Sequence, residues 1–358
     1  MKILFLNTNI GYGGASKMMV WVANHAASAG NNVTLMTYRI EEENQHLQNG
    51  VKHVHCQLED EGGKKHILKT VFYLRRFIKA EGFDVAVAFL SPSHLRLSLA
   101  VIGTKTKVLF SHRGDPTLKS SGDMKNRMIN VLNSWAFRQA DFYVFQTKKA
   151  AQAFSSSIQS RSLVIPNPVT PLLRTKERGR FVENRIVCVG RFDVRQKRQD
   201  LLIEAFKRIS VRHPDYILAL YGDGPDEAKL KTIAGESKQV HFMGKTLDVV
   251  SAIQDAAMFV LSSDFEGIPN ALLEAMSLGV PCISTDCSPG GAAMLIQDHQ
   301  NGLLVPKGDI DALSGAMEWF IEHPQEREAM GREGKQVNYR FSEDRIGQEW
   351  LKVFDGLK

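Results

Sequence analysis

The chain has 358 residues, 43% hydrophobic and 23% charged, an ordinary globular composition long enough for two domains. No apolar run approaches the length of a membrane span, so a helical membrane protein is excluded. Its four cysteines, Cys56, Cys188, Cys282 and Cys287, are scattered with no C-x-x-C pair, which argues against a disulfide framework or a cysteine zinc site and for a reducing compartment.

Met1–Leu6 is apolar but too short for a secretory leader, so a cytoplasmic location is expected. The formal charge of +6 is unevenly spread. Residues 1–170 carry 21 Lys and Arg against 11 Asp and Glu, and the remainder carries 24 against 28. The N-terminal part should therefore prefer an anionic partner. Nucleic acid is set aside, because the cations lack interleaved stacking aromatics.

KILFLN, residues 2–7, reads as a buried parallel strand. The glycine turn GYGGAS and a helix over 17–29 follow it, a unit that can set backbone N–H groups against a phosphate. Such a turn also simply permits a tight connection. Further strands are expected at 32–38, 51–55, 84–90, 107–112 and 141–147, with helices between most of them. Alternating β and α units imply a doubly wound parallel sheet, with ligands at the carboxyl ends of its strands.

Lys64–Gly82 reads as a helix. At 100° per residue, Lys64, Lys65, Lys69, Arg75, Arg76 and Lys79 share an arc of roughly 140°. Ile67, Val71, Leu74 and Ile78 gather beside it, and Leu68 and Phe72 interrupt the basic face. Either the charged face is merely solvated, or the helix meets an anionic membrane surface or a lipid-linked pyrophosphate. SHRGDP, residues 111–116, ends a strand and offers His112, Arg113 and Asp115. A His there can make a structural hydrogen bond or touch substrate. Residues 164–180 have the prolines and charges of a linker.

A second series opens with a strand at 185–189. Arg191 lies just past it and Lys197 leads into a helix, suited to a diphosphate; Arg195 or Arg198 can share that role. A basic helix start is disfavoured by the macrodipole, as expected at a functional site. A strand and a Gly222-x-Gly224-Pro turn come next, then a short strand ending at Gly244 and Lys245. FEGIPNALLEAMSLGVP follows an apolar strand at 258–261. Pro269 fits a first helical turn, Ala271–Leu278 are helix formers, and Gly279 is a stop. Glu266 then lies at a helix N-terminus and Glu274 about one turn inside it. Two carboxylates there can grip vicinal hydroxyls, or the element is an ordinary surface helix with a favourable N-terminal Glu. Asp309-x-Asp311 follows a glycine and reads as a cap rather than a metal motif.

EGIPNALLEAMSLGVPCIST closely resembles the E-x7-E signature of the group-1 (GT4) retaining glycosyltransferases of GT-B fold. The G-R to Lys197 segment and the G-x-G-P turn agree, although the Arg-to-Lys gap is one residue longer than in many members. The resemblance implies two Rossmann-like doubly wound α/β domains facing a cleft. Residues 1–170 would form the acceptor-side domain and 183–340 the nucleotide-sugar domain, with 341–358 a helix crossing back onto the first. It implies retaining, metal-independent transfer of a hexosyl or N-acetylhexosaminyl group from a nucleotide-diphosphate sugar, with no cofactor. UDP is favoured by likeness to capsule-type members. The acceptor would be a saccharide or a polyprenyl-diphosphate-linked saccharide, met at the inner membrane face through Lys64–Gly82. Glu266, His112, Arg191 and Lys197 would serve transfer. Gly13, Gly14, Gly222, Gly244, Lys245, Gly267, Ile268, Pro269, Asn270 and Glu274 would bind the donor. The alternatives are a non-catalytic sugar- or lipid-binding subunit of a transferase pair, or a nucleotide-sugar epimerase of the same fold.

Overall fold

The computed structural model describes residues 1–11, 13–39, 47–56, 63–118, 124–169, 183–246 and 248–358. The chain divides into two units, Met1–Ile165 with Ile346–Lys358, and Pro166–Arg345.

The first unit holds seven parallel strands: β1 (Lys2–Asn7), β2 (Asn32–Thr37), β3 (Val51–His55), β4 (Val85–Ala88), β5 (Lys107–His112), β6 (Phe142–Phe145) and β7 (Ser162–Val164), in the order β3-β2-β1-β4-β5-β6-β7. The central strands are buried on both faces, so their sequences run apolar instead of alternating. One face packs Met19, Val22 and Ala26 of the Gly14–Ser28 helix against Ile3 and Phe5. The other packs Leu74 and Ile78 of the Gly63–Glu81 helix, Leu97 and Phe137 against Leu4, Leu6 and Phe110.

The second unit repeats the plan with β8 (Glu183–Val189), β9 (Ile217–Tyr221), β10 (Val240–Gly244), β11 (Ala256–Leu261), β12 (Cys282–Thr285) and β13 (Leu303–Val305), ordered β10-β9-β8-β11-β12-β13. In each sheet the first strand lies inside and the chain winds outward both ways. The reversal falls between β1 and β4, and between β8 and β11. Loops leaving the carboxyl ends of such neighbours part to opposite faces and leave a crevice, where open α/β sheets bind ligands.

Pro166–Val169 sit with the second unit, where Val169 N donates to Phe341 O at 2.7 Å. The Glu343–Asp355 helix sends Trp350 and Phe354, both 1% exposed, into the apolar cluster of the first unit. Gly347 makes this docking possible, since a Cβ there would stand 2.1 Å from His25 Nε2. The expected linker over 171–180 lies outside the described residues.

Candidate active site

The loops after β8 and β11 are joined in the second unit. Asp264 N donates to Gln196 O at 2.8 Å, and Ser262 Oγ to Lys197 O at 2.8 Å. Gln196 Nε2 donates to Phe265 O at 3.2 Å. These bonds bring Lys197 and Glu266, 69 residues apart, into direct contact: Lys197 Nζ donates to Glu266 Oε1. The same oxygen accepts from Ser263 Oγ at 2.8 Å, and Glu266 Oε2 lies 3.5 Å from Gln196 Nε2. Glu266 is only 9% exposed. Such a carboxylate needs this many donors, because an unpaired buried charge is costly.

The other cations of the loop differ. Arg198 caps the Gln199–Ser210 helix with φ 50°. Its guanidinium is taken up by Asp200 at 3.2 Å and Asp264 at 3.0 Å. Arg195 and Arg191 are exposed. The carboxylates of Glu266, Asp200 and Asp264 thus offset a basic helix start that the macrodipole disfavours.

Three glycines fix these loops by close backbone approach. A Cβ at Gly222 would stand 2.0 Å from Gly190 O, and one at Gly224 2.3 Å from Phe192 O. The G-x-G-P turn therefore supports the Arg191 loop from beneath. Gly222 N also donates to Gly244 O at 2.9 Å, which links that turn to the exposed Gly244 and Lys245. A Cβ at Gly291 would stand 1.5 Å from Gly267 O.

The helix after Glu266 spans Asn270–Leu278, and Gly279 ends it with φ 79°. Pro269 is its N-cap, one position before the first turn expected from sequence. No side chain caps this end. Ile268 is 5% exposed and anchors the turn in the core. Asn270 Oδ1 accepts from Asn167 Nδ2 at 2.6 Å. Glu274 is half-buried one turn further on. Burial pushes the thiols of Cys188 and Cys287 up to about 12, so neither is a nucleophile at neutral pH. Asp309 Oδ1 accepts from Ala312 N at 2.9 Å, a cap, and Asp311 pairs with Arg208.

In the first unit, Gly13 precedes the Gly14–Ser28 helix and its carbonyl accepts from Lys17 N at 2.9 Å; both glycines are exposed. His112 ends β5 among aromatic rings, with Phe154 at 5.6 Å, Phe137 at 5.8 Å and Phe145 at 6.2 Å. Burial lowers its pKa to about 4, against opposing pulls from Asp115 and the Gly114 backbone. It is therefore a neutral imidazole, and its Nε2 is buried without a hydrogen-bond partner. It borders a cavity of about 510 Å³ that also reaches Arg138, Asn133 and Phe137. Arg113 lies 4.3 Å above the Phe89 ring, and Asp115 accepts from Thr117 N at 2.8 Å. Arg113 and Asp115 thus hold the turn.

Sequence reasoning missed Gln196, Ser263 and Asp264, which build the contact, and Asn167, which holds Asn270. The available signal was Ser262-Ser263-Asp264, a polar run straight after a strand whose six residues are all buried.

Two parallel-sheet Rossmann-like α/β units, with a cation and a carboxylate joined at the switch point of the second, give the architecture of a GT-B protein. The comparisons agree. Residues 12–171 match the model described as Glycosyltransferase Family 4, and 183–323 the model described as Glycosyl transferases group 1. An uncharacterised glycosyltransferase of Haemophilus influenzae is 24% identical over 98% of this chain and 99% of its own. A Campylobacter jejuni N-acetylgalactosaminyltransferase, named for an undecaprenyl-diphosphate-linked acceptor, is 26% identical over 100% of this chain and 99% of its own. Anabaena HepE, solved with UDP-glucose, superposes with a TM-score of 0.78 at 18% identity, covering 99% of this chain and 100% of that one. The chain belongs to the group 1 (GT4) glycosyltransferases, of GT-B fold.

Proposed function

We propose that the chain is a retaining, metal-independent glycosyltransferase that moves a sugar from a UDP-sugar to a saccharide or polyprenyl-diphosphate-linked acceptor in surface glycan assembly. The bond from the anomeric carbon to the diphosphate breaks as the acceptor oxygen bonds the same face, and the acceptor proton passes to the departing phosphate oxygen. The observation that carries this reading is the Lys197–Glu266 contact at the sheet's switch point. Arg191 and Lys197 would meet the charge that grows on the leaving diphosphate. Glu266 and the amides of Gly267–Asn270 would hold the donor sugar, and Glu274 the ribose hydroxyls. Gly222, Gly244 and Lys245 would border the base. His112 is neutral, so it would act as a hydrogen-bonding group. The Campylobacter and Anabaena relatives support the lipid-linked acceptor and the UDP donor.

A thermal-shift panel of UDP, GDP, ADP and CDP in EDTA tests this reading, since a ligand of the native state raises its melting point with occupancy. A UDP-selective shift that shrinks in Glu274→Ala is expected. No shift with any nucleotide would favour the non-catalytic subunit.

The same reading includes an anionic membrane surface. No helix among the described residues is long and apolar enough to cross a membrane. Leu68 is 66% exposed and Phe72 76% exposed on the Gly63–Glu81 helix, beside the exposed cations Lys69, Arg76 and Lys79. The Ser91–Ala100 helix packs between this helix and Met124–Arg138, which exposes Val131, Leu132 and Trp135. Apolar side chains ringed by cations on neighbouring helices suit an interface with acidic lipids. Arg75 is not among those cations, because its Nη1 donates to Ala100 O at 3.1 Å and to Ile102 O. It caps the neighbouring helix, which removes it from the basic arc. The side chains of Lys64 and Lys65 lie outside the described residues. Leu68→Gln with Phe72→Ser should abolish co-sedimentation with acidic liposomes, and undiminished binding would remove the membrane from the proposal.

A further inference from the structure

His213, Glu318 and Glu322 gather on the second unit. His213 follows the far end of the Gln199–Ser210 helix, about 18 Å from the end that begins beside Lys197 at 1.5 Å per residue. Glu318 and Glu322 stand four residues apart, on one face of the Ile310–Glu322 helix packed beside it. One ligand atom from each of the three side chains lies within 4.8 Å of the others. His213 Nε2 is buried and has no hydrogen-bond partner. It stands 3.6 Å from Glu318 Oε1, too far for a good hydrogen bond. Two atoms bound about 2.1 Å from a tetrahedral zinc are separated by roughly 3.4 Å. The His213–Glu318 spacing is close to that of two ligands on one ion, and an ion would satisfy the orphan nitrogen.

We propose that His213, Glu318 and Glu322 bind a divalent cation of the zinc class, with water completing the shell. One imidazole with two carboxylates suits zinc or cobalt better than magnesium or calcium, which prefer all-oxygen shells. The ion clamps the last turn of the Gln199–Ser210 helix to its neighbour and takes no part in transfer. Its competitor is Arg212, which holds Glu318 Oε1 through Nε at 2.6 Å and Nη2 at 2.5 Å. Removing that guanidinium should strengthen metal binding, an outcome that general electrostatics at an unrelated site would not give. No cysteine takes part, and His213 lies too far in sequence from Glu318 and Glu322 for a spacing motif to reveal the set.

Cobalt(II) is the probe, titrated into the purified full chain after EDTA treatment and followed by its visible absorption. One equivalent is expected to bind, to be displaced by zinc and to survive excess magnesium. His213→Ala and Glu322→Gln should each weaken binding roughly tenfold or more, and Arg212→Ala should tighten it. Glu322 is exposed, so its variant tests the site without disturbing the core. Wild-type cobalt affinity in both ligand variants, or weaker binding in Arg212→Ala, would overturn the proposal.

Discussion

The Lys197–Glu266 contact can be tested as a pair. Their side chains are 21% and 10% exposed. Two unit charges about 4 Å apart attract by about 4 kcal/mol at an effective dielectric of 20. Desolvation takes back part of this, and the residual exposure of Lys197 screens more, which leaves a coupling of about 1–3 kcal/mol. Glu266→Gln keeps the shape and can still accept from Ser263, but it leaves Lys197 without a counter-charge. Lys197→Met leaves Glu266 with Ser263 and Gln196 alone. Each single variant should lower stability in urea, and the double variant should lose less than the sum of the two. The assay is a double-mutant cycle by urea denaturation at pH 7, with nucleotide binding measured alongside. Additivity within about 0.5 kcal/mol would refute the reasoning. It would mean that the two groups do not sense each other in the folded protein.

Gly291→Ala sets a Cβ 1.5 Å from Gly267 O, a clash with backbone that no rotamer relieves. The Glu266 loop must move, so UDP-induced stabilisation should be lost and the melting point should fall by about 2–4 °C per kcal/mol of strain; an unchanged melt with unchanged nucleotide binding would contradict this. His112 titrates near 4 in the folded chain, because burial disfavours its charge, against about 6.5 unfolded. Above pH 6.5 it is neutral in both states. As pH falls from 6.5 to 4 only the unfolded chain takes up the proton, so stability is lost across that window by up to about 3 kcal/mol, then levels off. His94, held near 3 chiefly by burial and next by His112, acts with the same sign. The difference in urea midpoint between pH 7 and pH 4.5 should shrink in His112→Leu, and a difference equal to wild type would count against the buried neutral imidazole.

Much of the fold is written locally. β1, β3 and β5 match their expected bounds to the residue; the apolar runs of β1 and β5 stop at the polar Thr8 and Arg113, and Gly50 precedes β3. β7 escapes such reading. It has three residues at a sheet edge, and Leu163 is 47% exposed, so burial imposes no pattern. The Gly63–Glu81 helix shows both sides of the matter. Leu74 and Ile78 face the core as their spacing requires. Arg75 reads as a surface cation until the carbonyls of Ala100 and Ile102 are placed beside it. Gly222 and Gly224 suggest a nucleotide turn, yet their lack of a Cβ is demanded by Gly190 and Phe192. Periodicity carries no information about which loop backbone lies beneath which.

The two glutamates of the E-x7-E stretch look alike in sequence and are unlike in the folded chain. Glu266 is buried and already holds a cation, whereas Glu274 is half-buried on the helix. On the proposed function this divides their labour. A diphosphate reaching Lys197 must share it with Glu266, so Lys197 gives less to ground-state binding than a free lysine would. Arg191 is exposed at the start of the same loop, and on that proposal early recognition of the donor would fall to it. As the leaving group gains charge, its claim on Lys197 grows while that of Glu266 stays fixed. On the proposed function the pair would therefore favour the charge-separated state over the bound substrate, which is where stabilisation raises the rate.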